Sequence, residues 1–128
     1  MISAFISRTS ALWLGTGGFV LLFAPDAVLP RLIAGYPSSG LWLGQLLGAA
    51  WLGLAALNWI NRRLILGGVF GRPIVLANAI NYFIGAMVLI RAVMRQPEAS
   101  VELAAIPAIT LALAYGALLL RGPFDPPR

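Results

Sequence analysis

The chain contains no cysteine, no histidine and no lysine, and only 10% of its residues are charged. Without cysteine there is no disulfide, no thiolate nucleophile and no iron–sulfur ligand. Without histidine it lacks the side chain most often used for metal binding and for proton transfer near neutral pH. Its serines and threonines therefore have no imidazole base, and its four acidic residues are scattered rather than paired. The glycines at 67, 68 and 71 are followed by no Lys-Ser or Lys-Thr, so they form no phosphate loop. The sequence leans away from enzyme chemistry, and it predicts no catalytic, cofactor-binding or metal-ligating residue.

The shortage of charge is equally restrictive. A soluble domain carries roughly a quarter of its residues as charges. Here 60% are hydrophobic and the mean hydropathy is +0.90. Such a chain cannot coat itself for water, and its natural solvent is a bilayer. The net charge of +5 is carried by arginine alone. Those arginines stand at the ends of apolar runs, not on a face interleaved with base-stacking aromatics, so nucleic acid is excluded as a partner.

A spanning helix needs about 20 mostly apolar residues. Four stretches qualify, at about 10–29, 41–60, 73–90 and 101–120, followed by a short Pro-rich tail at 122–128. All are apolar all round, without the dyad alternation of barrel strands. The expected fold is all-α: one polytopic membrane domain, a four-helix bundle. Six arginines (Arg8, Arg62, Arg63, Arg72, Arg121, Arg128) fall on one side of it and three (Arg31, Arg91, Arg95) on the other. By the excess of positive charge, both termini are expected to be cytoplasmic. Asp26 is costly in lipid, so the first helix should leave the bilayer near Pro25. Asp26 would then cap a short interfacial helix, its Val28, Leu29, Leu32 and Ile33 lying on the membrane and Gly35 ending it.

Three sets of residues stand out as candidate sites. Asn58 and Asn61, then Asn78 and Asn81, repeat a three-residue spacing on helices two and three, with Tyr82 following. Antiparallel neighbours would bring both pairs to similar depth, either to lock the hairpin or to line a polar vestibule. Small residues make the second set. Ala104, Ala108, Ala112 and Gly116 recur every four residues on helix four, and Gly44 and Gly48 form a GxxxG on helix two, so close helix approach is expected there, within the chain or with a partner. The third is the segment between helices two and three, where Arg62, Arg63 and Arg72 flank Leu66 and Phe70 as a candidate interfacial docking loop. Arg91 and Glu102 are expected to pair across the opposite loop.

Gly15 and Gly18, the run Leu21–Asp26 ("LLFAPD") and Leu66–Pro73 ("LGGVFGRP") resemble the DoxX-like group of small bacterial four-helix membrane proteins. The resemblance covers the layout of all four helices. It implies a role accessory to quinone-linked respiratory proteins, and it transfers no functional residue. The expected function is a small accessory or structural subunit of a larger membrane complex, of respiratory or photosynthetic type, or a homo-oligomer. The alternative is a small channel or carrier using the Asn-lined vestibule. No cofactor is predicted, although contact with a lipid, quinone or pigment fits this setting. The partners are the bilayer and either another membrane protein or a second copy.

Overall fold

The computed structural model describes residues 2–66, 68–95, 97 and 99–124. Gly67, Glu98 and the end of the Pro-rich tail lie outside the described residues. The described residues form five α-helices: α1 (Ile2–Phe23), α2 (Pro25–Leu32), α3 (Leu41–Ile60), α4 (Arg72–Arg95) and α5 (Ala99–Arg121). A single 3-10 turn, Ser38–Gly40, leads into α3. Four of these helices are long and apolar enough to cross a membrane, with hydropathies from 1.2 to 2.1.

The first helix begins at Ile2, well before the expected start near residue 10. The polar run Ser7-Arg8-Thr9-Ser10 does not interrupt it. Ser3, Ser7 and Ser10 are all buried, whereas Arg8 and Thr9 face outward. Serines at this spacing share one helix face, so the polar residues near the start of α1 form an inward stripe rather than a tail. The helix ends at Phe23, and Pro25 begins the next one, where its missing N–H costs nothing.

The short helix α2 was expected to be capped by Asp26. Instead its N-cap is Ala24, with no side-chain cap, and Asp26 stands in the first turn. A carboxylate there still favours the positive end of the helix dipole. Leu29 turns inward and is buried, and its side chain fills the space over Gly44 of α3. Gly35, with φ +73, makes the turn that follows. Gly122, with φ +83, closes α5 in the same way, and its N–H bonds to the Leu118 carbonyl at 3.0 Å. Pro107 lies inside α5, which runs on through it without a break.

Contacts are dense between α1 and α3 and between α4 and α5, and sparse between these two pairs. Glycine makes the first pair possible. A Cβ on Gly48 would stand 2.7 Å from the Gly18 carbonyl oxygen, and a Cβ on Gly18 would stand 2.7 Å from that of Gly48. The two backbones therefore touch directly. Gly17 sits under the Trp51 ring, where a Cβ would come within 2.9 Å. The buried core that spans both pairs includes Ile6, Leu14, Ala55, Val75, Leu111 and Leu118.

Candidate functional site: a buried amide and hydroxyl network

Asn58 lies in the last turn of α3 and Asn78 in the second turn of α4, so the antiparallel arrangement sets their carboxamides face to face. Their bonding is reciprocal. Asn58 Nδ2 donates to Asn78 Oδ1 at 2.8 Å, and Asn78 Nδ2 donates to Asn58 Oδ1 at 2.7 Å. The second hydrogen of Asn58 Nδ2 goes to Ser10 Oγ at 2.8 Å, and that of Asn78 Nδ2 to the Ile74 carbonyl at 2.8 Å. Ser10 Oγ in turn donates to Asn78 Oδ1 at 3.3 Å and lies 2.7 Å from Tyr82 Oη. With Ser10 as donor to Asn78, the Tyr82 hydroxyl donates to Ser10. All four amide N–H donors are then used.

This network crosses the boundary between the two helix pairs: Ser10 and Asn58 belong to α1 and α3, while Asn78 and Tyr82 belong to α4. Asn58 and Asn78 are both 0% exposed. A fully satisfied polar cluster in an apolar interior imposes one register on the helices that share it. Of the expected vestibule, Asn58 and Asn78 bond their carboxamides to each other and present no surface.

The sequence pattern foretold only part of this set. Asn58, Asn78 and Tyr82 come together. Asn61 does not join them: it caps α3 and donates Nδ2 to the Leu57 carbonyl at 2.9 Å. Asn81, half-buried on α4, lies outside the hydrogen-bonded cluster. Ser10 was missed, although its spacing from Ser3 and Ser7 marked an inward polar stripe. Tyr115 of α5 was missed too. Its ring is fully buried and stacks on Tyr82, with centroids 5.7 Å apart and planes at 15°. The single tyrosine of α5 was the available signal.

The hydroxyls of Tyr115 and Ser7 are buried and have no hydrogen-bond partner among the described residues. An unpaired buried hydroxyl costs about 1–3 kcal/mol. Tyr115→Phe should therefore leave stability unchanged or raise it by up to about 1 kcal/mol, while Tyr82→Phe should lower it by about 1 kcal/mol. Unfolding of the purified protein in mixed micelles measures both. Equal losses in the two variants would mean that Tyr115 is bonded after all.

The small-residue faces are divided in their use. Gly44 and Gly48 are consumed inside the chain by Leu29 and by the α1 backbone, so they offer no surface to a second molecule. On α5, Ala108 is buried, Ala104 and Ala112 are half-buried, and Gly116 borders open space. The inward face of α5 is instead Ala105, Ala108, Leu111, Tyr115 and Leu118. Where α1 meets α5 a lateral groove of about 580 Å³ remains, lined by Phe5, Thr9 and Trp13 on one wall and by Ile106, Pro107 and Leu111 on the other.

The interhelical loop also departs from expectation. Leu66 is 0% exposed and belongs to the core, so it is unavailable for docking. Phe70, Arg63 and Arg72 remain exposed, and Arg62 folds back on α3. The Arg62 guanidinium donates to the Trp59 carbonyl at 2.6 Å and lies 4.6 Å from the centre of the Trp59 ring. At the opposite end, Arg91 and Glu102 are both exposed, and no ion pair joins them among the described residues. That end is tied instead by Ser100 Oγ, which donates to the Arg31 carbonyl at 3.4 Å. No group of three or more His, Cys, Asp or Glu residues gathers among the described residues.

Compared with family models, curated proteins and solved structures, the chain finds no match.

Proposed function

We propose that the chain is a four-helix bundle of a bacterial inner membrane, with both termini cytoplasmic, that acts as an accessory or structural subunit of a larger membrane complex or of its own oligomer. The observation that carries this reading is the way its chemistry is distributed. Ser10, Asn58, Asn78 and Tyr82 satisfy one another across the two helix pairs, and what the spans offer outward is mostly apolar surface. Phe19, Phe23, Phe83, Leu113 and Leu120 are among the large side chains left outside. A surface of this kind works by packing, against lipid or against other helices. The six-to-three division of arginines supports the orientation. The layout likened to the DoxX-like group belongs to the same proposal. The groove between α1 and α5 is where a lipid, quinone or pigment tail would lie.

Extraction from native membrane into lipid discs, followed by mass measurement of the intact particle, tests the proposal. A particle containing another polypeptide, or a multiple of the 13.6 kDa chain, is the expected result. A single copy accompanied by lipid alone would overturn it.

A further inference from the structure

The loop between α3 and α4 has features that the buried network does not use. Leu66 and Gly71 are both buried and pin the loop at two points. From Gly68 to Arg72 the backbone turns tightly, with the N–H groups of Gly71 and Arg72 both bonded to the Gly68 carbonyl at 2.9 Å. The residues at the crest, Val69 and Phe70, are 82% and 85% exposed. An apolar pair held out by a pinned turn is a formed feature rather than a slack connection.

Arginines surround it. Arg8 stands on α1, Arg62 and Arg63 follow α3, Arg72 begins α4 and Arg121 ends α5, so each long helix brings a cation to this end. Among the described residues the acids Asp26 and Glu102 belong to the other end. Cations near the same end of all four long helices match a layer of negative charge better than the single contact point of a protein partner. Of these cations Arg62 is engaged by Trp59, whereas Arg63 and Arg72 flank the crest and are exposed.

We propose that this loop is a binding site for anionic phospholipid. Val69 and Phe70 enter the bilayer interface beneath the headgroups, and the guanidinium groups of Arg63 and Arg72 donate to phosphate oxygens. The inference rests on the four long helices lying in a bilayer. It does not need the accessory role.

The absence of cysteine makes the test direct, because Phe70→Cys creates one labelling site. The variant carries a bimane fluorophore in discs of phosphatidylcholine mixed with phosphatidylglycerol, with either lipid brominated as the quencher. Brominated phosphatidylglycerol is expected to quench more strongly than brominated phosphatidylcholine at equal mole fraction. That preference should fall up to about fivefold for each of Arg63→Gln and Arg72→Gln, and should shrink in high salt. Equal quenching by the two lipids, or none, overturns the proposal. Loss of the preference on adding inorganic phosphate overturns the lipid as its source and assigns a free-anion site. Shielding from both lipids only in discs cut from native membrane overturns it in favour of a protein partner. A label at Ile84→Cys, on the exposed side of α4, should be quenched alike by both lipids. If that label is not quenched, the membrane placement itself fails, which is distinguishable from failure of the loop alone.

Discussion

Gly48→Ala is expected to destabilise the protein by roughly 2 kcal/mol, and Gly48→Val by about 3 kcal/mol or more. In most helix interiors, replacing glycine by alanine gains about 0.5–1 kcal/mol, because alanine loses less conformational freedom. The sign reverses here because the new Cβ meets backbone: the Gly18 carbonyl oxygen at 2.7 Å and the Leu22 nitrogen at 2.9 Å. Neither is the end of a flexible side chain that could swing away. The axes of α1 and α3 must separate, and the contacts above and below Gly48 open with them. Gly53→Ala and Gly116→Ala serve as controls, since a Cβ at either position meets nothing within 4 Å. They should match the parent or slightly exceed it. Detergent titration of unfolding, followed by far-ultraviolet dichroism and tryptophan emission, reads all four variants. A Gly48→Ala protein as stable as the parent would show that the helices do not approach this closely.

The second large effect belongs to the amides. Asn78→Leu should cost about 2–4 kcal/mol, since interhelical hydrogen bonds in membranes contribute about 0.6–1.7 kcal/mol each and orphaned partners add their own penalty. Asn78 takes part in four hydrogen bonds, with Asn58 twice, with Ser10 and with the Ile74 carbonyl. Its loss strands the Asn58 carbonyl oxygen and one of the two Asn58 amide hydrogens in the buried interior, while the other hydrogen keeps Ser10 Oγ. The double variant Asn58→Leu/Asn78→Leu should therefore lose clearly less than the sum of the two single variants, because it removes the stranded group as well. Strictly additive losses would contradict a reciprocal pair. Asn61→Leu, in which only a bond to the residue's own helix is removed, should cost under about 1 kcal/mol.

Both effects arise where the two helix pairs are assembled, and they differ in how visible they were beforehand. Gly44 and Gly48 announced a close approach by their spacing, but not its recipient. A GxxxG pattern states that a helix has a smooth face, and only the partner's own glycine, Gly18, turns that face into backbone contact. The asparagine pairs were equally half-legible. Their spacing put both members of each pair on one face, yet a helix face is about a third of its circumference wide. Position along the axis decided which member met the other helix, so Asn58 and Asn78 meet while Asn61 is left to cap α3. Leu66 is the clearest case of a residue whose role is set from afar. In sequence it is one of several apolar loop residues, and the neighbouring Val69 and Phe70 remain outside, but a space in the core accepts Leu66.

By itself the sequence determined the solvent and the elements. Its scarcity of charge, its four apolar runs and its arginine-marked ends follow from transfer energies summed over whole segments, and no single contact can overturn such sums. Tertiary structure decided what the elements do with their few polar atoms and glycines. It drew Ser3, Ser7 and Ser10 inward to make α1 longer than its hydropathy suggested. It chose Ser10 and Tyr82 to complete the amide network and stacked Tyr115 beside them. The physical reason is that hydropathy adds along the chain, while hydrogen bonds and close backbone contacts depend on where two helices cross and how each is rotated. Those two quantities are set jointly by all the helices.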